Sequence, residues 1–341
     1  MTNKQSHQDG TISKHEINWL TRRAKDGFGM VTTAAANVSK DGQGWEGEIG
    51  VFSDHQIDGL KRLTKNIRNL GSTSIAQLFH GGMRSPQKIT GVIPISASTN
   101  ECQESENGFS KTCSDKDIIR LIRDFTESAV RCEQAGFDGV ELHGAHGYLI
   151  SQFLGFKSNR RKDKWGGSIF ERSRFLLEIY QSIKKQVSES FLVGIRISPE
   201  IKNLGITLGD SIELTKILNN EGIDFIHLSC WDVFSRSIEY PNNPKKLTEW
   251  FTESIDKLPA VISTGGIWSS KDSEKLLKQG ADLVGVGRVG IAYPDWAIHL
   301  SKKDYNPPLP PFSKKYLRSV DLSNKFINYM RNWDGFVLDD K

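Results

Sequence analysis

Two histidines and a tyrosine stand close together in the segment Glu141–Tyr148. His143 and His146 can donate hydrogen bonds to a carbonyl or nitro oxygen, and Tyr148 beside them can deliver a proton. The preceding run, Phe137–Val140, predicts a buried strand, and catalytic side chains of an α/β barrel lie at such strand ends. A single histidine is more often a packed residue of the core. The His-x-x-His-x-Tyr spacing at a strand end instead favours a catalytic site.

Two glycine-rich turns near the C-terminal end of the chain could hold a phosphate. Thr264–Gly266 ends one predicted strand, and Gly285–Gly290 follows the next with the pattern G-x-G-x-x-G. Too little chain follows that pattern for a dinucleotide-binding half-domain, whereas the loops after the last two strands of a barrel form its usual phosphate site. Tight turns without a ligand are the alternative. The predicted phosphate-binding residues are Gly265, Gly266, Gly287 and Arg288.

Two polar side chains interrupt apolar strands. Arg196 lies in Val193–Ser198, where an unpaired charge would be costly. It could face a carboxylate of the protein, or it could stabilise negative charge near N1 of a flavin. Gln77 lies in Ala76–His80, and its amide donors and acceptor suit the edge of a pyrimidine-like ring. Taken separately, each residue leaves the structural and the functional interpretation open.

Apolar, β-branched runs alternate with amphipathic stretches along the chain. Such strand–helix repeats imply parallel strands with right-handed crossovers, and a run of this length predicts a (β/α)8 TIM barrel of the α/β class. Only a dozen residues, most of them polar, precede the helix that begins near Ser13, so either another segment closes the barrel or its first strand is missing. The predicted strands are Gly29–Ala34, Ser74–Phe79, Gly139–Leu142, Leu192–Ile197, Phe225–Leu228, Ala260–Ser263 and Leu283–Val286.

Two long connections and a proline-rich tail complete the predicted organisation. Ser85–Ser114 and Trp231–Trp250 both follow strand ends, and loops of this length predict a lid over the site. Pro307–Pro311 is a stiff connector to a helical segment around Lys314–Asn332. We therefore expect a barrel over residues 1–306 and a C-terminal extension with a terminal helix over residues 307–341.

The composition narrows the class of protein. The net charge of the 341 residues is +4 and the charges of both signs are intermixed, which does not favour a nucleic-acid partner. None of the four cysteines forms a C-x-x-C pair, so no zinc or iron–sulfur site is expected. The polar N-terminus is no signal peptide, and no segment is apolar enough to span a membrane. These features predict a cytoplasmic protein.

Taken together, these residues resemble the old yellow enzyme family of FMN-dependent ene-reductases. The resemblance covers nearly the whole chain. Ala76–Gly82 is similar to the family's third-strand motif, and Glu141–Phe153 to its active-site motif. Asn159–Ser168 resembles the segment that follows, and Ala281–Arg288 resembles the final phosphate strand.

The resemblance implies a barrel that holds FMN at its C-terminal mouth, with NADH or NADPH as reductant. Gln77 would contact the pyrimidine edge of the flavin and Arg196 its N1/O2 side. The phosphate would be held by Gly265, Gly266, Gly287 and Arg288.

The same resemblance implies a small-molecule substrate, an alkene conjugated to a carbonyl or nitro group. His143 and His146 would bind its activating oxygen, and Tyr148 would protonate its α carbon after hydride transfer. Two alternatives stay open: a flavin-binding barrel without turnover, and a barrel flavoenzyme that oxidises an amine or a 2-hydroxy acid. Family members also form monomers, dimers and tetramers, so the resemblance is compatible with a homo-oligomer.

One departure from the family concerns the start of the chain. In relatives, a first strand and its preceding segment lie ahead of the position that matches Met1, and Thr2 matches a residue at the O4/N5 edge of the flavin. Thr2 is therefore a predicted cofactor contact. We expect the chain to be an N-terminally truncated version of such a protein.

Overall fold

All seven predicted strands are present in the computed structural model, which describes residues 2–338. Their bounds match the prediction or differ from it by at most three residues. The strands are β1 Met30–Asn37, β2 Ile49–Gly50, β3 Thr73–Phe79, β4 Ile95–Ser96, β5 Lys111–Thr112, β6 Gly139–Gly144, β7 Leu192–Ile197, β8 Phe225–Ser229, β9 Ala260–Thr264 and β10 Leu283–Gly285.

Helices connect these strands in the expected alternation. They are α1 Lys14–Lys25, α2 Ile57–Arg68, α3 Gln87–Thr90, α4 Asp115–Gln134, α5 Leu149–Leu154, α6 Ile169–Lys184, α7 Leu208–Asn220, α8 Leu247–Thr252, α9 Ser270–Lys278, α10 Arg288–Ala292, α11 Trp296–His299, α12 Lys314–Ser319 and α13 Asn324–Met330. None of the helices in the described part of the chain is both long and apolar enough to cross a lipid bilayer.

Eight strands form one parallel sheet in the order β10-β9-β8-β7-β6-β3-β1-β2. Seven of them are the predicted strands. The eighth, Ile49–Gly50, comes from the connection between β1 and α2, and it pairs with Ala36 and Asn37 of β1. A strand ahead of Thr2 stays a prediction.

An apolar layer inside the sheet shows that the sheet curls on itself. Ile75 of β3, Phe225 of β8 and Ile262 of β9 form one buried cluster, with Met30 and Leu192 packed against it. Because β6 and β7 lie between β3 and β8 in the sheet, these side chains meet only if the sheet is rolled up as in a barrel. The α/β fold is therefore consistent with the predicted TIM barrel.

Helix α4 illustrates why the sequence folds into this outer layer. Ser114 and Asp117 form a capping box at its start, and the buried face includes Ile118, Leu121 and Phe125. Burial of each such side chain stabilises the fold by about 1.5–3 kcal/mol. The chain then turns at Gly136, whose φ of 85° favours glycine, and enters β6.

The C-terminal segment packs onto the start of the chain. Its helical region consists of two short helices, α12 and α13, where we predicted one segment. The rings of Trp19 and Phe326 lie 5.2 Å apart, and the Ser323 amide donates to the side-chain oxygen of Gln5 at 3.3 Å. The predicted division between residues 306 and 307 stays a prediction.

Candidate active site

The predicted catalytic residues lie at the carboxyl end of β6, where the sheet opens. This strand is two residues longer than predicted, so His143 is itself a strand residue and is fully buried. In the sheet, His143 lies opposite Arg196 of β7, which in turn lies opposite His227 of β8. A polar layer therefore sits above the apolar layer of the interior.

The structure brings together the two histidines and the tyrosine. His143 Nε2 and His146 Nδ1 are 3.4 Å apart, so one oxygen atom could accept hydrogen bonds from both. The ring centroid of Tyr148 lies 5.1 Å from that of His143 and 6.5 Å from that of His146. The prediction that these three residues cluster is confirmed, whereas their catalytic roles stay a prediction.

A strained turn directs the ring of His146 towards His143. His146 has a φ of 61°, a left-handed conformation that is uncommon for a residue with a side chain, and Gly147 follows with a φ of 78°. Hydrogen bonds hold the turn: the His146 amide donates to Ser198 Oγ at 3.2 Å, and Arg84 donates to the His146 carbonyl at 2.8 Å. Strain of this kind persists where surrounding contacts determine it.

A chain of hydrogen bonds sets which nitrogen of His146 carries a hydrogen. Arg196 has no acceptor and donates to Ser229 Oγ at 3.1 Å. The single hydrogen of that hydroxyl is then available for His146 Nε2, 2.8 Å away. A neutral His146 therefore carries its hydrogen on Nδ1, the nitrogen that faces His143.

Burial fixes the protonation states of the three residues. It lowers the pKa of both His143 and His146 well below the ordinary histidine value, and the positive charge of Arg196 adds to this effect. Burial raises the pKa of Tyr148, although Arg84 opposes the rise. At neutral pH the site thus presents two uncharged imidazoles and a protonated phenol.

A buried carboxylate lies deeper in the same polar layer. Glu141 Oε1 accepts from the Gln77 amide at 2.6 Å, and its Oε2 lies 2.7 Å from His227 Nδ1. His227 Nε2 is 2.7 Å from the hydroxyl of Thr264. Burial opposes ionisation of Glu141, but the contacts with His227, the charge of Arg196 and the hydrogen bond from Gln77 outweigh burial and lower the pKa of Glu141 below the ordinary value. Glu141 is therefore a carboxylate, and no role was predicted from the sequence for Glu141 or His227.

Two buried polar atoms of the predicted cofactor residues have no partner among the described residues. They are Gln77 Oε1, an acceptor, and Arg196 Nε, a donor. A buried group without a hydrogen bond costs about 1–3 kcal/mol, so such atoms call for a ligand or water. The strand order places them on β3 and β7, on either side of β6.

The predicted phosphate residues occupy two turns that lie side by side, because Thr264 of β9 pairs with Gly285 of β10. Gly265 has a φ of 151°, and a Cβ atom there would lie 2.4 Å from the carbonyl oxygen of Cys230. Packing alone therefore requires this glycine. Gly266 has a φ of 69°, Gly287 precedes α10, and Arg288 is exposed at the start of that helix. A phosphate at these turns stays a prediction.

Thr2 is buried, and its hydroxyl accepts a 3.4 Å hydrogen bond from the Lys4 amide. Lys4 lines a cleft of about 490 Å³ that also includes Trp45, Arg84 and Tyr148. Thr2 is therefore two residues away in sequence from Lys4, and Lys4 lines the same cleft as Tyr148, the predicted proton donor. No hydrogen bond of its side chain reaches the predicted flavin residues among the described atoms.

Several residues that shape this site were not predicted from the sequence. The guanidinium of Arg84 lies 4.6 Å above the Tyr148 ring, and the ring of Trp231 lies 5.9 Å from that of His146 with 83% of its surface exposed. His227 and Ser229 are polar residues in the otherwise apolar strand β8. Arg196 was recognised because it too is a polar residue in an apolar strand, and the same criterion would have identified His227 and Ser229.

Comparison with known proteins identifies the family. A family model described as NADH:flavin oxidoreductase / NADH oxidase matches residues 1–306. The chain is 34% identical over 309 residues to "Probable NADH-dependent flavin oxidoreductase YqiG" of Bacillus subtilis (strain 168), with 89% of this chain and 82% of that protein covered. It is 36% identical over 308 residues to the NADH:acrylate oxidoreductase of Vibrio harveyi, with 87% and 30% covered. The chain therefore spans about a third of that second relative.

Solved structures agree on the fold. Morphinone reductase superimposes with a TM-score of 0.77 at 25% identity, with 92% of this chain and 86% of that chain covered. The old yellow enzyme homologue from Zymomonas mobilis gives a TM-score of 0.80 at 23% identity, with 93% and 90% covered, which shows the shared fold alone.

The fold and the matches define a flavin-dependent oxidoreductase. The chain belongs to the NADH:flavin oxidoreductase / NADH oxidase family, as a member of the old yellow enzyme group. FMN is its cofactor, and NADH or NADPH is the reductant. The resemblance seen in the sequence is thereby confirmed.

The free polar atoms of the site fit this cofactor. The pyrimidine edge of a flavin presents one N–H donor, N3–H, between two carbonyl acceptors. Gln77 Oε1 could accept from the donor, and Arg196 Nε could donate to the N1/O2 side. A bound flavin would thus satisfy both buried atoms.

Proposed function

We propose that this protein reduces the alkene of α,β-unsaturated carbonyl or nitro compounds. The observation that carries the proposal is the convergence of His143 Nε2 and His146 Nδ1, 3.4 Å apart, beside the protonated phenol of Tyr148. Two donors for one oxygen and a nearby acid are what this reduction requires from the protein.

In this proposal the cofactor lies over the polar layer of the barrel. Gln77 contacts its pyrimidine edge, Arg196 its N1/O2 side and Thr2 the O4/N5 edge. The unpartnered atoms of Gln77 and Arg196 support this orientation. The phosphate is held by Gly265, Gly266, Gly287 and Arg288. Bound FMN would supply the redox chemistry, accepting hydride from NADH or NADPH and donating it to the β carbon of the alkene.

His143 and His146 bind the activating oxygen of the substrate. Both are uncharged, and the Ser229 hydroxyl leaves the hydrogen of His146 on Nδ1. In this proposal His143 carries its hydrogen on Nε2, the nitrogen that faces His146, so both rings donate to the substrate oxygen rather than protonate the substrate. Their hydrogen bonds strengthen as negative charge develops on that oxygen. Such stabilisation is worth about 3 kcal/mol per donor.

Tyr148 protonates the α carbon. Its raised pKa keeps the proton on the phenol until the enolate forms. The guanidinium of Arg84, 4.6 Å from the ring centroid, then stabilises the tyrosinate until the proton is replaced from water.

The cleft beside Tyr148 provides the route for the substrate. Its walls carry Lys4, Arg84 and Lys88 together with Glu46 and Glu104. The relatives named for acrylate and fumarate act on alkenes conjugated to a carboxylate, and the cations of the cleft make such anions worth testing. The connections Ser85–Ser114 and Trp231–Trp250 are proposed to set the preference among substrates.

We place the protein in the cytoplasm, acting on a small molecule without a nucleic-acid or membrane partner. The intermixed charges and the lack of an apolar spanning helix among the described residues support this. We also propose that the protein forms a homo-oligomer and that residues 307–341 form a separate C-terminal extension.

An absorption spectrum of the purified protein tests the function. We expect a flavin band that bleaches with anaerobic NADPH and recovers when 2-cyclohexenone is added; acrylate provides the anionic comparison. Recovery with oxygen but with neither alkene would refute the proposal and favour a flavoprotein without ene-reductase turnover.

A further inference from the structure

Glu141 is a fully buried carboxylate that makes no contact with the predicted substrate groups. It lies on β6 between Gln77 of β3 and His227 of β8, and it bonds to both, at 2.6 and 2.7 Å. Burial of a charge costs several kcal/mol of desolvation, which hydrogen bonds such as these two must offset. The reaction described above gives Glu141 no role.

We propose that Glu141 is a positioning residue for the cofactor: it holds the Gln77 amide with its oxygen turned towards the N3–H of the flavin. The inference rests on the proposed placement of Gln77 at the pyrimidine edge. It goes beyond the reduction of alkenes, because it concerns how the chain selects and binds its flavin.

The chemistry of the pair fixes the orientation of the amide. A carboxylate has only acceptors, so the –NH2 of Gln77 must face Glu141 Oε1. The Gln77 oxygen is then left pointing away, and it is the buried atom without a partner among the described residues. Were the amide reversed, two oxygens would face each other and the –NH2 would meet the N3–H donor of the flavin. Only the observed orientation suits both neighbours.

His227 and Thr264 hold the carboxylate in place. Burial lowers the pKa of His227, so the ring is neutral and its Nδ1–H donates to Glu141 Oε2. Its Nε2 then accepts from the Thr264 hydroxyl at 2.7 Å. The network runs from Gln77 on β3 through β6 and β8 to Thr264 at the end of β9, so the amide orientation depends on residues of four strands.

The substitution Glu141→Gln tests the proposal in the FMN-bound protein. A neutral amide at position 141 can donate or accept, so the Gln77 side chain loses its fixed orientation. We expect FMN to bind about tenfold more weakly or worse. The pKa of the bound flavin N3–H, read from the absorption spectrum, should fall, because an –NH2 facing N3 stabilises its deprotonated form.

A second buried glutamate supplies the matched control. Glu16 is as deeply buried and bonds to Asn3 and Ser6, neither of which is a proposed cofactor contact. Glu16→Gln should leave FMN affinity and the N3–H pKa unchanged. An equal loss of FMN affinity in both variants would mean that any buried carboxylate has this effect, and it would overturn the proposal.

The double variant Gln77→Glu/Glu141→Gln reverses the hydrogen bond between the two positions. The new amide at position 141 would donate to the new carboxylate at position 77, whose other oxygen would again face N3–H with the net charge unchanged. We expect FMN affinity within about threefold of the wild type and an N3–H pKa at or above the wild-type value. This variant decides the question even if Glu141→Gln fails to fold.

Two outcomes would overturn the inference: a Glu141→Gln protein with wild-type FMN affinity and N3–H pKa, or a double variant that does not recover FMN binding. All of these measurements use oxidised flavin without an alkene. A failure of the proposed alkene reduction would therefore leave them unchanged, and the two proposals can fail separately.

Discussion

The hydroxyl of Ser229 connects the cofactor side of the site with the substrate side. It accepts from Arg196 and leaves its hydrogen for His146 Nε2. In Ser229→Ala the neutral His146 can carry its hydrogen on either nitrogen. Its Nδ1 then donates to the substrate oxygen in only a fraction of the molecules. We expect reoxidation of the reduced flavin by 2-cyclohexenone to slow about tenfold. Ser229→Thr retains the hydroxyl and should restore the rate; equal rates in all three proteins would contradict this assignment.

Tyr148 should matter in only one half of the reaction. Removal of its hydroxyl in Tyr148→Phe takes away the proton for the α carbon but leaves the aromatic contact with Phe79, whose ring centroid is 4.6 Å away. We expect alkene-driven reoxidation to slow about a hundredfold while reduction by NADPH is unchanged in stopped-flow measurements. Tyr180→Phe, which removes another buried hydroxyl, serves as control. An equal loss in both halves would indicate a structural role.

At the scale of the elements, the glycine turn after β9 combines two constraints. In Gly265→Ala the new Cβ would meet the Cys230 carbonyl at 2.4 Å and would require a φ of 151°. We expect a loss of about 3 kcal/mol in the free energy of unfolding of the FMN-free protein, measured with denaturant. Gly71→Ala has an unfavourable φ of 76° but open space, and should lose about 1 kcal/mol. Equal losses would mean that the contact with Cys230 is unimportant.

The positions of the strands could be predicted from their apolar runs, but some of their ends could not. The run before Glu141 identified β6, but its end at Gly144 was missed because His143 and Gly144 do not continue the apolar pattern. Ile49–Gly50 is too short to carry any pattern, and it becomes a strand only because β1 lies beside it. Sequence therefore predicts the elements and their order, and the ends depend on tertiary pairing.

The candidate site, like the strands, could be predicted from the sequence only in part. The cluster of His143, His146 and Tyr148 lies within six consecutive residues, so local spacing was enough to find it. The pair of Glu141 and His227 lies 86 residues apart in sequence and forms through the register of β6, β7 and β8. A polar residue in an apolar strand signals that a partner is needed, but the partner is identified only by the register.

At the scale of the whole molecule, Glu16 makes stability depend on pH. It lies in α1 and bonds to Asn3 and Ser6, in the region where the C-terminal helices also pack. Burial raises its pKa from about 4.5 to about 7. Between these values the folded protein binds more protons than the unfolded chain, so this group makes folding less favourable as pH rises, by on the order of 3 kcal/mol at pH 8.

His143 and His146 act in the opposite direction. Because burial lowers the pKa of both, the unfolded chain binds their protons first, and stability is lost as pH falls below about 6.5.

The contribution of Glu16 is isolated by comparing the wild type with Glu16→Gln in urea titrations at pH 5 and pH 8. We expect the variant to gain on the order of 3 kcal/mol relative to the wild type between the two pH values, because only the wild type must bury a charge at pH 8. A difference that does not change with pH would show that Glu16 stays protonated, or is solvated, throughout this range.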